Sequence, residues 1–213
     1  FFFVTILTLV FVTTFWLQKY YEVSFVQALR IASFSIISVT TGSGFSTYDF
    51  STWGSFTTII LLFFMLIGGC SGSSSCGLKV FRLQILLKNA ISLVKKIIQP
   101  RGVFIPSYNS KSISSDVLSA VTGFFFLYIL TFAILTLILS FNGLNIITSM
   151  SGAAAALANV GPGLGDTIGP SSNYSTLSDF TKIMLSISKE IKSILESKII
   201  IILFAKFHCQ TKN

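Results

Sequence analysis

From Val117 to Gly165 the chain runs for 49 residues without one Asp, Glu, Lys, Arg or His. Soluble domains do not sustain such a stretch, because about a quarter of their residues are charged to cover a surface facing water. A helix needs about 20 apolar residues to cross the hydrocarbon of a bilayer, so this run holds one crossing and part of a second. The remainder of the chain agrees, with 52% hydrophobic residues, 10% charged residues and a mean hydropathy of +0.81. The expectation is an all-α membrane protein with several passes, in contact with lipid. The chain opens at Phe1, and Phe1–Leu17 already reads as an apolar helix. Neither the basic n-region nor the small cleavage-site residues of a signal peptide are present, which predicts a start inside a longer product.

The net charge is +8, and its placement carries more than its size. Lys79, Arg82, Lys88, Lys95, Lys96, Arg101 and Lys111 fall in one stretch that contains no acid. The positive-inside rule puts that stretch in the cytoplasm. A nucleic-acid patch is the competing reading, but a basic loop between spans is the commoner origin of such a run, and no nucleic-acid partner is expected. Glu22, Asp49, Asp166 and Asp179 flank the glycine-bearing segments described next, and those segments are expected to face outside. Cys70, Cys76 and Cys209 are odd in number and lack zinc-site spacing, so they read as small packed residues rather than a disulfide or metal centre.

Two similar modules follow one another. The first is read as an apolar helix at Phe1–Leu17, a segment too short to span at about Ser24–Val39, a loop at Thr40–Phe45, and an inner helix from Trp53 to Gly69 that continues past a break. In the second, the same order runs Leu118–Phe141, about Ile146–Ala158, Asn159–Gly165 and about Leu177–Phe207. Gly44 and Gly161 occupy corresponding loop positions, 117 residues apart. Between the modules Lys88–Asp116 reads as a basic linker containing Pro100 and Pro106. Internal repeats in membrane proteins place the functional site at the repeat interface.

A segment of 10 to 14 apolar residues is better read as re-entrant than as spanning, by about half a span's length. The loop after a re-entrant helix leaves backbone carbonyls at membrane depth, where irregular backbone persists only inside protein or along a water-filled path. Thr41-Gly42-Ser43-Gly44-Phe45 and Asn159-Val160-Gly161-Pro162-Gly163 therefore invite a specific reading. A row of carbonyls replacing the hydration shell of a cation is the most economical one. Glycine permits the backbone angles that aim successive carbonyls the same way. The blander alternative makes both segments ordinary turns between spans; two matching loops in repeated modules weigh against it.

Ser38-Val39-Thr40-Thr41-Gly42-Ser43-Gly44-Phe45 and Ala158-Asn159-Val160-Gly161-Pro162-Gly163-Leu164-Gly165 resemble the third and fourth filter loops of the Trk/Ktr/HKT potassium-transporter superfamily, most closely its bacterial TrkH branch. Ile67-Gly68-Gly69-Cys70-Ser71-Gly72-Ser73 with Gly77-Leu78-Lys79-Val80-Phe81-Arg82 is similar to the interrupted helix beneath that branch's third filter. The resemblance covers about Phe1 to Leu185. It implies two of four helix–pore-helix–filter-loop–helix repeats around one potassium pathway in a bacterial inner (plasma) membrane. Residues 1–98 would be the third repeat, 99–116 a cytoplasmic linker and 117–185 the fourth repeat. The filter would use Thr41, Gly42, Ser43, Gly44, Asn159, Val160 and Gly161, with K+ as the transported ion and no bound organic cofactor. A gate loop over residues 68–77 would use Gly68, Gly69, Gly72 and Gly77. The partners implied are the missing two N-terminal repeats, a second copy in a homodimer, and a cytoplasmic nucleotide-binding regulatory ring.

Departures from the family pattern are specific. Gly42 stands where most members carry the middle threonine of Thr-Thr-Thr-Gly, and Ala158 replaces an asparagine. Ser75-Cys76-Gly77 ends the gate where glycines are usual. The family's last helix holds a Gly-Arg-Leu-Glu-like segment with the arginine in the pathway; here Ser186-Ile187-Ser188-Lys189-Glu190 follows Met184-Leu185, with Lys189 as the candidate replacement. The tail over 186–213 reads as aberrant and as the product of a frameshift near Leu185. Its charges are costly at the bilayer centre unless paired or solvated.

Enzyme readings have few residues to use. Gly72-Ser73-Ser74-Ser75-Cys76-Gly77-Leu78-Lys79 approaches a phosphate-binding loop, but Leu78 occupies the lysine position and no βαβ context surrounds it. The single histidine, His208, lies in the tail, and Asp49, Asp166 and Asp179 are too scattered to pair as acid and base. No enzyme activity is expected. Potassium transport, a decayed fragment without transport and, least of all, an intramembrane enzyme are the functions left open.

Overall fold

The computed structural model describes residues 2–69, 77–102, 104, 106–108, 111–191 and 193–194. Its first helix, α1 (Phe2–Tyr21), runs a turn beyond the apolar stretch and ends with Lys19 in its last turn, where a cation complements the helix dipole. After a break at residues 22–24, α2 (Phe25–Thr41) returns against α1. Ala28, Ala32, Ile36 and Val39 of α2 are buried, a three-to-four residue spacing that lays one face on the core.

A second inner helix, α3 (Gly54–Leu66), follows a short turn. Its 13 residues rise about 20 Å, against about 30 Å of hydrocarbon, so α3 cannot cross alone. It gives way at Ile67 to an extended strand, β1 (Ile67–Gly68), which pairs in parallel with β2 (Leu78–Lys79). Helix α4 (Val80–Ile98) resumes at once. The interrupted inner helix is thus closed at its base: Ile67 faces Leu78 and Gly68 faces Lys79.

The basic stretch is more ordered than a linker. Lys88 to Ile98 lie on α4, and the described residues between 99 and 114 include a two-residue antiparallel pair between β3 (Ser107–Tyr108) and β4 (Lys111–Ser112). The absence of acids made this region resemble a solvated loop, yet Val80, Arg82 and Ile85 are buried and give α4 an inner face. Arg82 achieves its burial by stacking its guanidinium over Phe124, 4.1 Å from the ring centroid, a favourable arrangement for a desolvated cation. Lys88 donates to the carbonyl of Ser107 at 2.8 Å and Ser92 to that of Phe104 at 2.9 Å, tying the connection to the helix.

The second module opens with α5 (Ser115–Phe141), the longest helix at 27 residues, followed by α6 (Ile146–Ala158). Among the described residues, α1 and α5 have the length and apolarity to cross a membrane. Gly152, Ala153, Ala154 and Ala155 let α6 approach its neighbours closely, and it packs on both α5 and α3. The α3–α6 contact joins the modules. A last helix, α7, runs over 179–191, beginning two residues after Leu177. The part of the expected final helix beyond residue 194 lies outside the described residues.

Candidate ion pathway

Both short helices end in the same way. Gly42 caps α2 in the left-handed region at φ 73°, and Asn159 caps α6 there at φ 54°. The amide of Gly42 turns back to the carbonyls of Ser38 and Val39; that of Asn159 turns back to Ala155 and Ala156. The next amides follow suit, Ser43 to Ser38 at 3.1 Å and Val160 to Ala155 at 3.0 Å. Every residue in the second set lies 117 positions after its counterpart in the first. This is the six-to-one and five-to-two closure of a helix C-terminus in duplicate. Two residues on, Gly44 (φ 72°) and Gly161 (φ 104°) again sit in the left-handed region. The two loops therefore leave their helices with matching backbone paths.

They also meet. A Cβ placed on Gly44 would lie 2.1 Å from the carbonyl oxygen of Val160 and 3.0 Å from Pro162 Cδ. A Cβ on Gly42 would stand 3.8 Å from the Ala158 carbonyl oxygen and 3.9 Å from that of Asn159. The candidate filter residues Gly42, Gly44, Asn159 and Val160 are thus brought together. Thr41 is the last residue of α2 rather than part of the loop. Thr41, Ser43, Asn159 and Gly161 are exposed, while Val160 is buried.

Hydroxyl groups hold the loops from behind. The hydroxyl of Ser38, itself buried, donates to the Phe45 carbonyl at 2.6 Å. In the second loop Ser151 receives the Leu164 amide at 2.9 Å, and the Gly163 amide donates to Ile168 at 2.7 Å. Between modules, the Gly165 amide donates to the Ser51 hydroxyl at 3.2 Å and the Ser171 hydroxyl donates to Asp49 Oδ2. Burial alone would raise the Asp49 carboxyl; hydrogen bonds from Ser171 and Ser51 outweigh it and hold the group below its ordinary value. The anion, and with it this bridge, is favoured at neutral pH and lost in acid. Sequence reasoning noted Asp49 as an outside-facing acid but did not find its pairing with Ser171, because nothing in a run of serines announces a partner 122 residues away.

An open groove of about 340 Å³ is lined by Asn159, Gly161 and Tyr174 together with Lys182, Leu185 and Lys189 of α7. The Tyr174 hydroxyl donates to the carbonyl of Gly161. Lys182 is paired with Asp179 at 3.0 Å. Lys189 lines this groove together with Asn159 and Gly161.

Of the four expected gate glycines, Gly68 lies in β1, with Gly69 following it and Gly77 preceding β2. A Cβ on Gly77 would come within 2.8 Å of the Gly68 amide nitrogen, so the two ends of the interruption touch. Gly72 lies outside the described residues. Among the described residues, no group of three or more His, Cys, Asp or Glu side chains could hold a metal ion.

Among the described residues the structure is mostly helical, with two helices long and apolar enough to cross a membrane and two matching helix closures. A sequence model of the TrkH family, described as a cation transport protein, matches residues 1–213. The chain belongs to this family. The match extends past Leu185 to residue 213. The Trk system potassium uptake protein TrkI of Halomonas elongata is 40% identical over 160 residues, 75% of this chain and 32% of that protein. TrkG of Escherichia coli K12, also a Trk system potassium uptake protein, is 32% identical over 97% of this chain and 42% of its own length. The crystal structure of the potassium transporter TrkH from Vibrio parahaemolyticus superposes with a TM-score of 0.81 at 32% identity, covering 93% of this chain and 42% of that one. The chain thus spans 32% to 42% of the length of these relatives. The family is one of transporters, in keeping with the reading that this is not an enzyme.

Proposed function

We propose that this chain forms the second half of a potassium-uptake transporter and lends two of four backbone-carbonyl loops to its filter. The observation that carries the proposal is the duplicated helix closure at Gly42 and Asn159, with the two loops meeting at Gly44 and Val160. A helix C-terminus carries a partial negative charge of about half an elementary unit. With α2 and α6 both ending at the loops, their dipoles favour a cation there without a carboxylate to trap it. K+ would be held by carbonyls around Thr41–Gly44 and Asn159–Gly161, exchanging water oxygens for protein oxygens. The names of TrkI and TrkG, which are potassium uptake proteins, support K+ as the ion.

On this reading the interruption between α3 and α4 is the gate, using Gly68, Gly69, Gly72 and Gly77. Residues 1–98 and 117–185 are the two repeats, and 99–116 connects them on the cytoplasmic side of a bacterial plasma membrane. The other two repeats, a second copy of the transporter and a cytoplasmic nucleotide-binding ring are the partners. The test is growth of a potassium-uptake-deficient bacterium on limiting K+. A four-repeat transporter whose second half is residues 1–185 of this chain, completed by a family-like last helix, should restore growth. Inserted protein that leaves the cells dependent on high K+ overturns the reading. The second reading, a product that conducts nothing, draws on the charges at Lys189, Glu190, Lys192, Glu196 and Lys198.

A further inference from the structure

The two loops are held by different means. Gly44 is boxed in, because any Cβ there strikes the Val160 carbonyl and Pro162. At Gly161 a Cβ would meet no atom within 4 Å, and the residue itself is exposed. What touches that peptide is the Tyr174 hydroxyl, donating to the Gly161 carbonyl. The turn that carries the phenol is itself capped. Asn173 Oδ1 accepts from the Ser175 amide at 3.2 Å and from the Ser175 hydroxyl, capping the short turn Tyr174–Thr176. Upstream, the Ser172 hydroxyl donates to the Asp166 carbonyl at 2.7 Å, and Ser171 is tied to Asp49 of the other module.

We propose that Tyr174 is a specificity-determining positioning residue: its hydroxyl tethers the Gly161 carbonyl and so sets the preference of the second loop for K+ over Na+. This rests on the reading of Gly161 as a filter residue. A carbonyl oxygen has two lone pairs, and the phenol occupies one while leaving the other for an ion. Untethered, the glycine peptide can swing towards a smaller cation and coordinate Na+ nearly as well as K+. Tethered, it stays at the distance that suits K+. The bond therefore acts on selectivity rather than on throughput.

The test is Tyr174→Phe in the four-repeat transporter, with Rb+ uptake measured in competition with K+ and Na+. The ring and its packing are retained and one hydroxyl is lost. The preference for K+ over Na+ should fall about three- to tenfold, the range one intramolecular hydrogen bond supplies, with maximal K+ uptake within about twofold of the parent. An unchanged preference overturns the proposal. So does a loss of maximal uptake at constant preference, which would make Tyr174 merely structural. Gly161→Ala, measured alongside, separates this from the filter reading. A change there with none in Tyr174→Phe removes the tether alone, whereas no change in either removes Gly161 from the filter.

Discussion

Replacing Gly44 by serine should lower the K+ over Na+ uptake ratio of a four-repeat transporter by about tenfold or more, the consequence of 1–3 kcal/mol of backbone strain concentrated at a binding site. Two effects coincide. The left-handed φ of 72° is unfavourable for a residue with a Cβ, and that Cβ would sit 2.1 Å from the Val160 carbonyl oxygen. Backbone cannot rotate away as a side chain can, so the collision displaces Val160, which is itself a proposed filter residue. One substitution thus disturbs both loops. Gly54→Ala is the matching control, since Gly54 has φ 81° but open space around its Cβ position. That variant should cost some stability and leave the ratio alone. Equal ratios in Gly44→Ser and the parent would show that Gly44 does not border the ion.

Residues 1–213 expressed alone should give no growth rescue in a potassium-uptake-deficient bacterium, an all-or-none effect. A filter must surround the ion, and potassium filters built from carbonyl loops use four of them. This chain has two, at Thr41–Phe45 and Asn159–Gly163. The short helices also leave large apolar side chains exposed. On α2, Val26 is 76% exposed and Ile37 48%, and on α6, Ile146 is 71% exposed. At 13 residues α6 is too short to span, so apolar surface on it calls for protein cover. Two copies could bring four loops together but would each present that surface unfilled. Robust rescue by the unmodified chain would point to a homodimeric pore.

How much of this was legible in the sequence depends on whether the signal is local. The uncharged run marks α5 because a spanning helix needs only its own composition. Ile146–Ala158 is delimited by small and apolar residues inside and by Asn145 and Asn159 at its ends, and its bounds coincide with α6. The equivalence of Gly44 and Gly161 follows from spacing alone. Helix α4 was less visible, since Lys95 and Lys96 read as a solvated connection while its inner face shows only in three dimensions. The contacts that position the loops were not legible at all. Tyr174 sits among serines and an asparagine, and its partner Gly161 is reached only when the chain doubles back. Asp49 finds Ser171 through the packing of α3 on α6, which no local pattern encodes.

The most direct measurement is the position of the ion. Crystals of the four-repeat transporter grown with Tl+, a K+ congener with strong anomalous scattering, report it without reference to flux. Anomalous peaks should lie between the loops, bordered by the backbone carbonyls of Thr41–Gly44 and Asn159–Gly161. Occupied Tl+ sites elsewhere along the pathway, with none between these loops, would contradict the account.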